Sequence, residues 1–177
     1  MTLPYLCWLG GTMSPANRIL YAQKDGNYYL RFIGDVRVTF CTTLSTYLEQ
    51  LFKADNIRSV AVDLRMAAAV DSTTLGLLAK LALYVNHNAK LKPLLIVEDE
   101  SMIRLIQSMG LDEIFSLAEV FPDQKAALDE LELSHADTEM ARDKVIEAHR
   151  TLMKLNNRNM DAFSDLVKRL EAEANEP

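Results

Sequence analysis

Hydrophobic positions along this chain follow two alternating repeats. Short runs dense in apolar, β-branched and aromatic residues predict strands at residues 19–22, 28–33, 60–64, 94–97 and 114–117. Between them, apolar residues recur at helical spacing. Leu44, Tyr47, Leu48, Leu51 and Phe52 predict a first helix, and Leu75, Leu78, Ala79, Ala82 and Val85 mark one face of a second, over residues 71–86. Met102, Leu105, Ile106 and Met109 predict a third, and residues 121–133 a fourth, through Ala126, Ala127, Leu128 and Leu131.

The punctuation fits this reading. Lys24-Asp25-Gly26-Asn27 is a hairpin turn between the first two strands. Gly34-Asp35 ends the second strand, and residues 37–40 continue as a loop or short extension. Thr42 or Thr43 can cap the first helix; Asp71, Ser72 and Thr73 are all cap candidates for the second. Glu98-Asp99-Glu100-Ser101 is an acidic loop and cap, and Gly110 is placed as the residue just past the third helix. A hairpin followed by strand–helix alternation predicts an α/β domain over residues 19–133, with a mixed, largely parallel sheet.

From Ser134 the strand signals stop. Val145, His149, Leu152, Phe163, Leu166 and Leu170 follow coiled-coil-like spacing across residues 134–177, a C-terminal helical extension. Leu152 and Phe163 stay in phase across the Asn156-Asn157-Arg158-Asn159 run, which favours one long helix with a polar middle; a two-helix hairpin is the alternative. The extension is either a stabilising appendage or a surface for a partner or a second copy, with Asn156 and Asn159 setting register.

Composition removes several function classes. The chain has 177 residues, 49% of them hydrophobic, enough for one core with chain left over. A net charge of −6 argues against nucleic acid. Two cysteines, Cys7 and Cys41, without a CxxC, and three scattered histidines suggest neither a disulfide framework nor a zinc site, and fit a reducing cytosol. Residues 1–18 read as an N-terminal arm: no basic region precedes the apolar residues, and Pro4 and Gly10-Gly11 interrupt them, unlike a signal peptide or membrane span. Met13 is a second possible start, so residues 1–12 are either an upstream extension or a loosely packed arm.

No catalytic constellation emerges: there is no GxGxxG, P-loop, HExxH or GxSxG. Asp63, Asp71, Glu98, Asp99 and Glu100 lie near strand ends, where acidic loops are usually solvated and only sometimes bind magnesium. Val62-Asp63-Leu64-Arg65-Met66 resembles the phosphoacceptor strand of response-regulator receivers. The acidic pair and the lysine that a receiver also needs are missing. A hydroxyl at the start of a helix, as in Asp71-Ser72-Thr73, sits where free backbone N–H groups and the helix dipole favour an anion such as a phosphoryl group, although most such clusters before helices are plain caps.

A second resemblance is more specific. Gly34-Asp35 after the second strand, the apolar strand Val60-Ala61-Val62-Asp63-Leu64, Asp71-Ser72-Thr73-Thr74-Leu75-Gly76, and Gly110-Leu111 before Ile114-Phe115 together resemble STAS domains, the family of bacterial anti-sigma factor antagonists. The likeness covers residues 19–117. The Asp-Ser run is similar to the family's Asp-Ser-x-Gly-Leu-Gly phosphorylation motif; Thr74 departs from its usual glycine and stiffens the helix start. In the tail, Ala148-His149-Arg150-Thr151-Leu152-Met153 with Asn156, Asn159 and Phe163 resembles the extension of the proteobacterial HptB-linked biofilm and motility antagonists.

The resemblance implies an α/β fold with a STAS-like mixed sheet, helices mainly on one face and a C-terminal helical extension. It implies a cytoplasmic, cofactor-free partner switch rather than an enzyme. An anti-sigma factor or serine kinase with a histidine-kinase-like ATPase domain would bind the unmodified domain and phosphorylate Ser72, and a PP2C-type phosphatase would reverse this. Ser72 would be the acceptor, with Asp35, Asp63, Asp71, Thr73, Thr74 and Gly76 completing the partner surface. Asp35 and Asp63 are expected at the same end of the sheet as Asp71. Asp63 could instead be structural, and Thr73 and Thr74 simple capping residues. Two other classes stay open: a non-switching scaffold or dimer module acting through the tail, and a small-ligand sensor with a buried pocket near the sheet's carboxyl edge.

Overall fold

A computed structural model describes residues 17–119, 127–133 and 138–174. The chain opens with strands β1 (Arg18–Lys24) and β2 (Asn27–Val36), then a 3₁₀ turn (Val38–Phe40) and helix α1 (Cys41–Leu51). Strand β3 (Ser59–Val70), helix α2 (Ser72–Asn88) and strand β4 (Leu94–Ile96) follow. Helices α3 (Glu100–Ser108) and α4 (Leu111–Ile114) lead to strands β5 (Ser116–Ala118) and β6 (Asp129–Glu130), and the chain closes with helices α5 (Thr138–Met153) and α6 (Asn157–Ala174).

The strands form one sheet in the order β5-β4-β3-β2-β1-β6. β1 is antiparallel to both its neighbours, while β2 through β5 pair in parallel. The β1–β2 turn carries Asp25 and Gly26 with φ of 51° and 80°, the mirror-image turn that matches strand twist. Alternation along β3 sends Val60, Val62 and Leu64 into the main core beneath the helices, together with Leu30, Phe32 and Leu95 from neighbouring strands. Its other face meets a smaller cluster, where Tyr29, Ala61 and Ile96 pack with Ala22, Leu94 and Leu128. The mixed α/β sheet expected from the strand–helix alternation is therefore present.

Several local expectations are corrected. β3 does not stop at Leu64: it runs on to Val70, because Ala67, Ala69 and Val70 find ladder partners in Gly34, Asp35 and Val36 of β2. Alanine is a weak strand former, so pairing and not propensity makes this half of the strand. Neither Thr42 nor Thr43 caps α1. Both are buried inside it, and the helix is entered through the 3₁₀ turn with no side-chain cap at Phe40. The fourth helix expected over residues 121–133 falls partly outside the described residues. Its described end is the strand β6, where Asp129 and Glu130 pair with Tyr21 and Leu20 on the edge of β1. Ile114 closes α4, so the last of the five expected strands begins at Ser116.

The extension is two helices and not one. Asn156 is the reason: its Oδ1 accepts from the Asn159 backbone N–H at 2.8 Å, so α6 starts afresh with its own cap. Asn159 is buried and donates to the carbonyls of Met109 and Leu152, both at 2.9 Å. The first of these sits past the last turn of α3, where carbonyls lack helical partners. The polar run that looked like the middle of one helix is thus both a turn and an anchor.

Candidate functional site

The site is built from the start of α2. Asp71 is extended (φ −106°) and caps the helix: Oδ1 accepts from the Thr74 N–H at 2.8 Å. Oδ2 accepts from the Val38 N–H at 2.7 Å, which ties the helix start to the turn after β2. Thr74 completes this tie by donating its hydroxyl to the Val36 carbonyl at 3.1 Å. Thr73 and Thr74 are 4% and 1% exposed, so both hydroxyls point inward. Thr74 is accommodated at the helix start because Val36 offers its side chain a partner. Ser72, at the first helical position, is half-buried.

What covers Ser72 is α5. Its Oγ lies 2.9 Å from His149 Nε2, and His149 Nδ1 lies 2.8 Å from the Val145 carbonyl oxygen. A carbonyl only accepts, so Nδ1 carries the proton; Nε2 of the neutral ring is then an acceptor, and Ser72 donates to it. The imidazole is 2% exposed, with the Phe163 ring of α6 edge-on at a centroid distance of 4.9 Å.

Successive turns of α2 extend the contact. Gly76 sits one turn beyond Ser72 on the same face, and a Cβ there would fall 2.3 Å from the Ala148 carbonyl oxygen. No side chain fits, so the two helices meet backbone to backbone. A further tie is made by Lys80, which pairs with Glu147 at 2.7 Å. Lys144 pairs with Glu49 of α1 and holds that carboxyl below its ordinary range. At the far end, Gly110 has φ 77°, and a Cβ on it would meet Asn156 Nδ2 at 2.8 Å. Gly76 thus makes room for α5, and Gly110 for the turn between α5 and α6.

The remaining expected site residues divide. Asp35 pairs with Ala69 in the ladder, close to the start of α2, and its half-exposed carboxylate receives Arg37 Nε at 2.6 Å. Asp63 does not join it. It pairs with Arg31, well back along β3, and its side chain is fully buried on the face of the sheet that Tyr29 occupies. The expectation that Asp63 shares a sheet end with Asp35 and Asp71 is therefore corrected. Asp63 accepts from Tyr29 Oη at 2.5 Å, from Arg31 Nε at 3.1 Å, from Arg65 Nη2 at 2.9 Å and from the Arg65 N–H at 3.0 Å. Burial pushes its carboxyl up, but the donors of Arg65 and Tyr29 outweigh this and hold it at about 2. Tyr29 is pushed upward by its own burial and by the carboxylate beside it.

His149 is the site residue that the sequence reading missed. The signal was there: a polar ring within an apolar helical stripe must find a hydrogen-bond partner. Spacing alone does not say which. Among the described residues no group of three or more His, Cys, Asp or Glu is placed to hold a metal ion. No helix among them is long and apolar enough to cross a membrane.

No family model matches this chain, and no curated protein does. Among solved structures it is similar to an anti-sigma factor antagonist from Mycobacterium paratuberculosis, at 20% identity over 58% of this chain and 85% of that one, with a TM-score of 0.49.

Two predictions follow from this geometry. Gly76→Ala, which would stabilise an isolated helix, should here destabilise the protein by about 2 kcal/mol, because the new methyl group must push α5 off α2; urea denaturation measures it, and a stabilised variant would contradict the contact. Asp63→Asn should cost about 3 kcal/mol at neutral pH, since two arginines lose their carboxylate. With its carboxyl held near 2, Asp63 contributes about 2 kcal/mol that is complete above its ordinary value near 4 and is lost as pH falls towards 2. Denaturation curves at pH 7 and pH 3 should show the wild type losing more of its stability on acidification than the variant.

Proposed function

We propose that this protein is an anti-sigma factor antagonist of the STAS type, working as a phosphorylation-controlled partner switch. The observation that carries the reading is the state of the three hydroxyls at the start of α2: Thr73 and Thr74 are buried, while Ser72 alone is half-buried at the first turn. The order of elements and the motif residues Gly34-Asp35, Asp71-Ser72 and Gly110-Leu111 support the family. In this reading an anti-sigma factor, or a serine kinase with a histidine-kinase-like ATPase domain, binds the unmodified protein and phosphorylates Ser72, and a PP2C-type phosphatase restores it. The protein is itself no enzyme and acts in the cytoplasm. Control of biofilm formation or motility rests on the likeness of the tail alone.

The electrostatics favour a switch. A phosphoryl group brings −1.5 to −2 charges at neutral pH, beside Asp71 and near Asp35. The N-terminus of α2 tolerates that charge within the domain. An acidic or apolar partner surface does not. Partner-binding roles are assigned to Asp35, Asp71 and Ser72, with Thr73, Thr74 and Gly76 shaping the helix start; Asp63 serves the fold.

The two other classes have less behind them. A dimer module acting through the tail would need an apolar face to spare; Ala148 and Leu152 of α5 belong to the protein's own core, which leaves Met140, Met160 and Leu166 as the large exposed apolar residues of the two helices. A ligand sensor would need a buried pocket at the sheet's carboxyl edge; the one described there, beside Asp63, Arg65 and Glu98, is small, about 200 Å³, while a groove of about 640 Å³ runs between α2, α5 and α6 and is lined by Lys80, Glu147, Arg150, Lys154 and Glu171.

Incubation with ATP and the candidate kinase of the same genome should add one phosphoryl group, mapped to Ser72 by mass spectrometry. Ser72→Ala should retain capture of that partner, and Ser72→Asp should weaken it at least tenfold. Equal capture by the two variants would remove the switch.

A further inference from the structure

The unmodified protein already has something docked on the face of α2 that bears Ser72: its own α5. We infer that the α5–α6 pair is an autoinhibitory cap, which must lift before Ser72 can be modified or a partner can reach that face, and which a phosphoryl group on Ser72 keeps lifted. The inference rests on Ser72 being the modified residue and concerns how that residue is guarded.

Three features of the contact carry it. First, the acceptor oxygen is engaged. A kinase needs the Ser72 hydroxyl in line with a nucleotide phosphate, but Oγ stands 2.9 Å from an imidazole that is itself 2% exposed. Transfer to Oγ is possible only in molecules where α5 has moved away, so the apparent rate is the intrinsic rate multiplied by the open fraction. Second, the contact is rigid where it matters. One turn from Ser72, the backbone of Gly76 touches that of Ala148, so α5 cannot tilt closer or make room by a side-chain rotation. Phosphorus and its oxygens have no space between Oγ and Nε2 while that contact is closed. Third, the proton matters. Nδ1 of His149 is committed to the Val145 carbonyl, so the neutral ring presents an acceptor to Ser72. Esterification removes the Oγ hydrogen. The buried Nε2 then loses the donor that Ser72 supplied.

The cap and the partner therefore compete for one surface. The protein has a closed form, an open partner-bound form and an open phosphorylated form, and the hydroxyl proton of Ser72 is part of what holds it closed. Asn159 of α6 is tied to the Met109 carbonyl past the end of α3, so the pair remains anchored there while the α2 contact opens.

The test uses the full chain and no kinase. Phosphoserine is placed at position 72 during translation, and amide hydrogen exchange is followed beside the wild type and Ser72→Ala. The phosphorylated chain should exchange the amides of α5 at least a hundredfold faster than the wild type and tenfold faster than Ser72→Ala, with β2 and β3 unchanged in all three. Exchange in α5 within threefold of the wild type would overturn the cap. Equal acceleration in β2 and β3 would overturn it as well, since the charge would then be unfolding the domain. Partner capture separates this from the switch itself. A docked α5 alongside unequal capture by Ser72→Ala and Ser72→Asp sinks only the cap, and a lifted α5 alongside equal capture sinks only the switch.

Discussion

The closest approach between α2 and α5 is made of main chain. At Gly76 the missing side chain lets the Ala148 carbonyl lie where a Cβ would be, and everything else about the site is arranged around that contact. It fixes the spacing of the two helices, which in turn places His149 within hydrogen-bond reach of Ser72, one turn away, and Glu147 within reach of Lys80 on the other side. A side chain at Gly76 would disturb all three relations together. Small residues at a helix crossing act here as a ruler for polar groups.

Buried polar groups recur through the molecule, and each is answered locally. Asp63 is fully buried yet stays ionised, because two guanidinium groups and a phenol supply donors from the same face of the sheet. Asn159 is answered by carbonyls past the end of α3 and near the end of α5, so one side chain holds the helical pair to the domain and closes the turn between α5 and α6. His149 is different in one respect: apart from a carbonyl of its own helix, its ring depends on the hydroxyl of one serine. A network with a single replaceable member can be both a tight structural contact and a control point.

Much of this architecture is written in local pattern. The β1–β2 turn, the apolar first half of β3, the Asp71 and Asp99 caps and the left-handed Gly110 all follow from residues that have few alternatives. What stayed hidden depends on distant partners. The alanine-rich end of β3 becomes a strand only because β2 lies beside it, and Asp129-Glu130 pairs only because β1 leaves an edge open. Thr42 and Thr43 looked like caps, but the 3₁₀ turn before them starts the helix instead. At the site, the sequence marked Ser72 through its neighbours and His149 as a polar ring in need of a partner, but spacing alone could not join two residues so far apart along the chain. It also grouped Asp63 with Asp35, since register along two parallel strands is a tertiary property.

The account stands on the pairing of Ser72 with His149 in the unmodified protein. Nuclear magnetic resonance of the ring tests it most directly, by the nitrogen shifts of His149 and its Overhauser contacts at neutral pH. A hydrogen fixed on Nδ1, an unprotonated Nε2, and contacts from the ring to the β-protons of Ser72 and to the Phe163 ring are the predicted result. A ring that averages between tautomers and shows no contact with Ser72 would mean that the helices do not meet there in solution.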